Sequence, residues 1–147
     1  MTHEQNELLL QDLCARLPYK VMLNCDNTND EELWAIDSIG LINHGYYINE
    51  VKPYLFPLSS MTEKQKKDLL LTTVGKEGLK LFSVTKDGIV SNDKEEQYLE
   101  NFCFNNINFS NENIEAYIDW LNKNHFDYRG LIEKSLALDA TNLGIYE

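Results

Sequence analysis

The side chains able to bind a metal or attack a substrate are few and scattered along this chain. His3, His44 and His125 lie far apart, and no Cys-x-x-Cys or His-x-x-x-His pairing involves Cys14, Cys25 or Cys103. Local spacing therefore assembles no zinc ligand set. Asp26-Asn27-Thr28-Asn29-Asp30 has the oxygen-rich composition of a calcium loop. The sixth position of such a loop needs glycine for its sharp turn and here holds Glu31, while the twelfth is Asp37, inside an expected strand. A solvated hairpin tip accounts for the segment better. Cys25 is followed by Asp26, a neighbour that raises a thiol pKa rather than lowering it. Ser59-Ser60 precedes a helix and suits its N-terminus. There is no Gly-x-Ser-x-Gly elbow and no dinucleotide fingerprint, and Gly75-Lys76-Glu77-Gly78 lacks the flanking residues of a phosphate-binding loop. An abundance of carboxylates is by itself no evidence for a glycosidase pair. No catalytic residue, cofactor site or metal ligand is assigned, and the chain is expected not to be an enzyme.

What remains suits recognition. In Pro53-Tyr54-Leu55-Phe56-Pro57-Leu58-Ser59-Ser60-Met61-Thr62, Tyr54 and Phe56 would serve a partner-binding apolar loop; a buried connector is the favoured reading. In His125-Phe126-Asp127-Tyr128-Arg129-Gly130, the residues His125, Tyr128 and Arg129 on one turn would suit a protein or ligand. The structural account, again favoured, has His125 complementing a helix C-terminus, Phe126 filling the core and Asp127 capping a further helix. Glu112, Glu115 and Asp119 recur on one helical face, behind Asp93, Glu95, Glu96 and Glu100. Such an array can imitate nucleic-acid charge, although solvated helix faces explain it more simply.

The elements that must position these groups follow from periodicity. Leu8, Leu9, Leu13, Cys14 and Leu17 recur at helical spacing, so residues 4–16 are expected to form an amphipathic helix ended by Pro18. Residues 20–51 read as a three-stranded antiparallel meander, with a turn at Asn43-His44-Gly45 and a third strand over 46–51. Pro53 and Pro57 hold their predecessors extended and exclude helix from the segment that follows. Thr62 and Gln65 match a capping box opening a helix to about Thr73, closed by Gly75 and Gly78. Residues 79–91 suggest a small hairpin and 94–103 a second helical piece. Ser110 caps a helix over 111–123 with Ile114, Tyr117, Ile118 and Leu121 as its core stripe. A last helix carries Leu131, Ile132, Leu136 and Leu138. The expected fold is α+β: an N-terminal helix, a small meander and a mainly helical C-terminal half, in one compact domain over residues 1–147.

Composition limits the partners. With 147 residues and 43% hydrophobic content the chain can build a real core, and 24 acidic against 13 basic residues leave a charge of −11. That charge repels phosphate backbones and anionic lipid heads, and Lys64, Lys66 and Lys67 form the sole basic cluster. Direct nucleic-acid binding and a membrane setting are not expected. The polar, acidic N-terminus does not resemble a signal peptide, no apolar run is long enough to cross a bilayer, and three widely spaced cysteines suggest reduced thiols in a cytoplasm. Arginine occurs only at positions 16 and 129.

The strings KPYLFPLSSMT and WLNKNHFDYRGLIEKSLALDA, with the opening LLQDLCARLPYKV, resemble small uncharacterised proteins of Bacteroides-type phages and mobile elements. The resemblance implies a phage or prophage origin and a bacterial host cytoplasm, and transfers no catalytic residue. The function expected is that of a non-enzymatic phage or mobile-element protein that binds a host or phage protein. One alternative is an inhibitor of a host nucleic-acid enzyme or defence system, acting by acidic mimicry. Another is a small-ligand binder or hydrolase whose site, near His125, Tyr128 and Arg129, only the fold assembles.

Overall fold

A computed structural model describes residues 1–25, 34–35, 51–80, 82–85, 88–91 and 111–147. These form two compact units, the first made of Met1–Pro57 and Asn122–Glu147 and the second of Leu58–Leu121. The expected turn at 43–45, all but the last residue of the expected third strand over 46–51, the calcium-like segment 26–31, the helical piece 94–103, the acidic residues Asp93, Glu95, Glu96 and Glu100 and the expected cap Ser110 lie outside the described residues.

In the first unit, helix α1 spans His3–Arg16 and opens with a reciprocal capping box. Gln5 N donates to Thr2 Oγ1 and Thr2 N donates to Gln5 Oε1, which satisfies two amides left over at the helix start. Its buried face is Leu9, Asp12, Leu13 and Arg16, one stripe at intervals of three and four. Cys14, expected in that stripe, is exposed. Pro18 ends α1 as anticipated, inside a 3-10 turn over Leu17–Tyr19. Strand β1 (Met22–Cys25) then pairs antiparallel with β2 (Trp34–Ala35) and with β3 (Val51–Pro57).

The sheet does not stop at three strands and is not an antiparallel meander. Strand β3 also pairs in parallel with β6 (Phe126–Asp127), register Phe56 to Phe126, and with β7 (Leu138–Asp139), register Tyr54 to Leu138. The result is a mixed sheet in the order β2-β1-β3-β6, with β7 added on β3. The stretch read as a connector is thus a strand of the sheet. Pro53 and Pro57 enforce extended backbone, which a strand uses as readily as a loop, and each only removes one donor from the ladder.

The predicted last helix is absent as well. Residues 131–135 form turns, with positive φ at Gly130 (70°) and Ser135 (60°) that a right-handed helix does not tolerate. Asp127 caps this turn instead: its carboxylate accepts from the amides of Leu131 (2.9 Å) and Ile132 (2.9 Å). Leu131 and Leu136 are buried all the same, in a core with Leu9, Leu13, Val21, Leu23, Val51, Leu55 and Ala137. The apolar spacing belonged to a packed turn rather than to a helix.

The second unit holds helix α2 (Glu63–Leu79), the hairpin β4 (Phe82–Thr85) and β5 (Gly88–Ser91), and helix α3 (Asn111–Lys123), whose last residues lead back into the first unit. The Thr62–Gln65 capping box is present, and β4 pairs antiparallel with β5 as the sequence suggests. Gly75, at φ 72° and ψ 179°, is non-helical and kinks the span into two helices, so the first closes there as expected and a second follows to Leu79. Asp68 accepts from the Trp120 indole at 2.7 Å and ties α2 to α3. Tyr117, Trp120 and Leu121 form the buried stripe of α3, whereas Ile114 is 46% exposed. Lys66, grouped above with two solvated lysines, is 5% exposed. Among the described residues no helix is long and apolar enough to cross a membrane.

Candidate functional site

Both arginines of the chain converge on one carboxylate. Asp12 and Arg16 stand four residues apart on the buried face of α1, with both side chains 0% exposed. Arg16 Nε donates to Asp12 Oδ2 at 2.7 Å and Nη2 donates to Oδ1 at 3.0 Å, the fork geometry that suits guanidinium and carboxylate. The same Nη2 donates to the Phe126 carbonyl at 2.8 Å, joining α1 to β6. The Arg129 side chain is 25% exposed, and its Nε lies 3.4 Å from Asp12 Oδ1. That is close enough for charge attraction but too poorly directed for a hydrogen bond, since Nε has no hydrogen-bond partner.

Tyr128 organises the remaining groups. Arg129 Nη2 donates to its hydroxyl at 3.1 Å, and the hydroxyl donates to Asn122 Oδ1 at 3.0 Å. The guanidinium carbon of Arg129 lies 5.0 Å and that of Arg16 5.6 Å from the centre of the Tyr128 ring, both within cation–π range. The cluster thus sets two fixed positive charges against one negative. Asp127, next along the chain, is committed to the amides of Leu131 and Ile132.

His125 adjoins this cluster through the backbone. It has a positive φ of 62°, accepts from Phe56 N at 2.8 Å through its carbonyl, and stacks its ring on Tyr146 at 3.9 Å and 12°. Burial, with the Arg16 charge adding to it, lowers the His125 pKa from 6.5 to about 4. The ring is therefore neutral at pH 7. Tyr146 donates to the Tyr54 carbonyl at 2.6 Å and accepts from Met22 N at 3.0 Å. Burial pushes its pKa up to about 12, against smaller opposing effects of the Met22 bond and Arg16.

The sequence-derived site residues divide accordingly. His125, Tyr128 and Arg129 come together, and Tyr54 and Phe56 adjoin them from β3. Tyr54, however, is 8% exposed, and Phe56 packs at tilted angles on Phe126 and Tyr146, so neither forms a projecting apolar loop. Glu115 and Asp119 are exposed on α3, which also carries Glu112, and they belong to the second unit. Asp12, Arg16, Asn122 and Tyr146 were not anticipated. The available signal was the opposite-charge pair at positions 12 and 16 inside the Leu9 and Leu13 stripe, together with the scarcity of arginine. Among the described residues no group of three or more His, Cys, Asp or Glu side chains could hold a metal. No protein-family model, curated protein or solved structure matches the chain.

Proposed function

We propose that this is a non-enzymatic binding protein of phage or mobile-element origin that recognises another protein through the turn His125–Gly130. The observation that carries the reading is the Tyr128–Arg129 pair, partly exposed, hydrogen-bonded to one another and held by Asn122. Tyrosine and arginine dominate binding hot spots, and side chains ordered before binding lose little freedom on contact. The neighbouring titratable groups are ill-placed for acid–base chemistry near neutrality. A histidine near 4 is a weak base and a tyrosine near 12 a weak acid, whereas proton transfer is served best by a pKa close to the working pH.

A tagged full-length copy expressed in a Bacteroides-type cell should retain one protein at stoichiometric levels. Tyr128→Ala and Arg129→Ala should each weaken that retention by about 30-fold, as loss of a hot-spot residue does. Undiminished retention by both variants would refute the assignment of the surface. Recovery of no partner, alongside turnover in a metabolite screen, would refute the binding reading altogether. Acidic mimicry is the second reading, supported by the exposed Glu115 and Asp119 on α3. It requires competition with DNA for a host nuclease that disappears at raised salt.

A further inference from the structure

We infer that Arg129 is the receiving group for an oxyanion, a carboxylate or a phosphate, with Arg16 behind it as a fixed second charge. The inference deepens the binding role of the His125–Gly130 turn and rests on that reading. It starts from the division of one carboxylate between two guanidiniums. Arg16 takes both Asp12 oxygens at hydrogen-bond distance, which leaves Arg129 with charge attraction at 3.4 Å and no directed bond to Asp12.

Three further facts point the same way. Among the described residues the sole hydrogen bond made by Arg129 goes to Tyr128, although a guanidinium offers five N–H donors. Arg16, wholly buried, keeps Nη1 without any acceptor, so Asp12 does not meet all the donors gathered round it. The Arg129 side chain, 25% exposed, can meet an incoming oxyanion with its remaining donors, while Arg16, 0% exposed, contributes its charge alone. Finally, the Arg129 guanidinium carbon lies 5.0 Å from the Tyr128 ring centre and its Nη2 donates to the Tyr128 hydroxyl, which restrains a group that carboxylates and phosphates engage in paired bonds.

The test uses full-length protein labelled with 15N, titrated separately with inorganic phosphate, N-acetylglutamate amide and sodium chloride, while the Arg129 and Arg16 Nε–H resonances are followed. The expected result is a saturable shift of both resonances with phosphate, the carboxylate probe or both, and affinity at least about tenfold weaker in Arg129→Gln. Arg129→Lys should restore part of it, since the charge remains and the fork is lost. Saturation by phosphate alone identifies a phosphate group as the natural anion, and by the carboxylate alone an acidic side chain or C-terminus. A shift that chloride reproduces at equal ionic strength, or that survives in Arg129→Gln with a native amide spectrum, overturns the inference. That failure leaves partner capture through Tyr128 standing, because the capture experiment needs no anion.

Discussion

Replacing Asp12 by alanine should destabilise the first unit by about 4 kcal/mol, the scale seen when one member of a buried ion pair is removed. The structure sets the value at that level. Both side chains are 0% exposed, and Arg16 would keep its charge while losing two hydrogen bonds of 2.7 and 3.0 Å. Arg129 would at the same time lose the carboxylate that offsets its own charge. With a urea dependence of about 2 kcal/mol per molar for a chain this size, the unfolding midpoint should fall by about 2 M. Urea unfolding followed by far-UV circular dichroism measures this directly. The double variant Asp12→Leu with Arg16→Met should lose less than Asp12→Ala alone, because no unpaired charge is left behind. A midpoint change under about 0.5 M, the scale of a solvent-exposed pair, would refute the reasoning, as would simple additivity in the double variant.

Three other outcomes are expected. Tyr146→Phe removes the hydroxyl that bridges Met22 N and the Tyr54 carbonyl, and should cost about 1–3 kcal/mol in thermal unfolding. Gly75→Ala should cost about 1–2 kcal/mol from backbone strain alone, since a Cβ there meets nothing within 4 Å; a gain in stability, as at an ordinary helical glycine, would contradict the kink. His125 should titrate by NMR near 4 rather than 6.5. The unfolded chain then binds more protons in that window, so stability is complete above 6.5 and declines as pH falls toward 4, by about 1–2 kcal/mol after solvent screening. His125→Phe should flatten that decline.

What the sequence revealed was local. The Thr62–Gln65 box, the β4–β5 pairing, the end of α1 at Pro18 and the Tyr117 and Leu121 face of α3 each lie within a few residues of their own signal. The sheet was misread because its parallel bridges join Tyr54 and Phe56 to two-residue strands far along the chain, and so short a strand has no periodicity to detect. Leu131, Ile132 and Leu136 imitated a helix because a capped turn can bury the same spacing. The Arg16–Asp12 pair escaped because charged side chains on a helix are ordinarily assigned to solvent. Residue type alone marks His125, Tyr128 and Arg129, but the groups that hold them are Asp12 on α1, Asn122 and Tyr146.

The divided construction of the first unit also bears on synthesis. Strand β3 leaves the ribosome early, yet its parallel partners follow only after the whole of Leu58–Leu121 has been made. The hairpin and the capped helix of the second unit find their partners within a few residues, while β3 still waits for β6 and β7. During that interval Leu55, wholly buried in the finished fold, has neither β6 nor β7 beside it. Translation speed across residues 58–121 therefore sets how long an incomplete sheet edge stays open to the wrong chain.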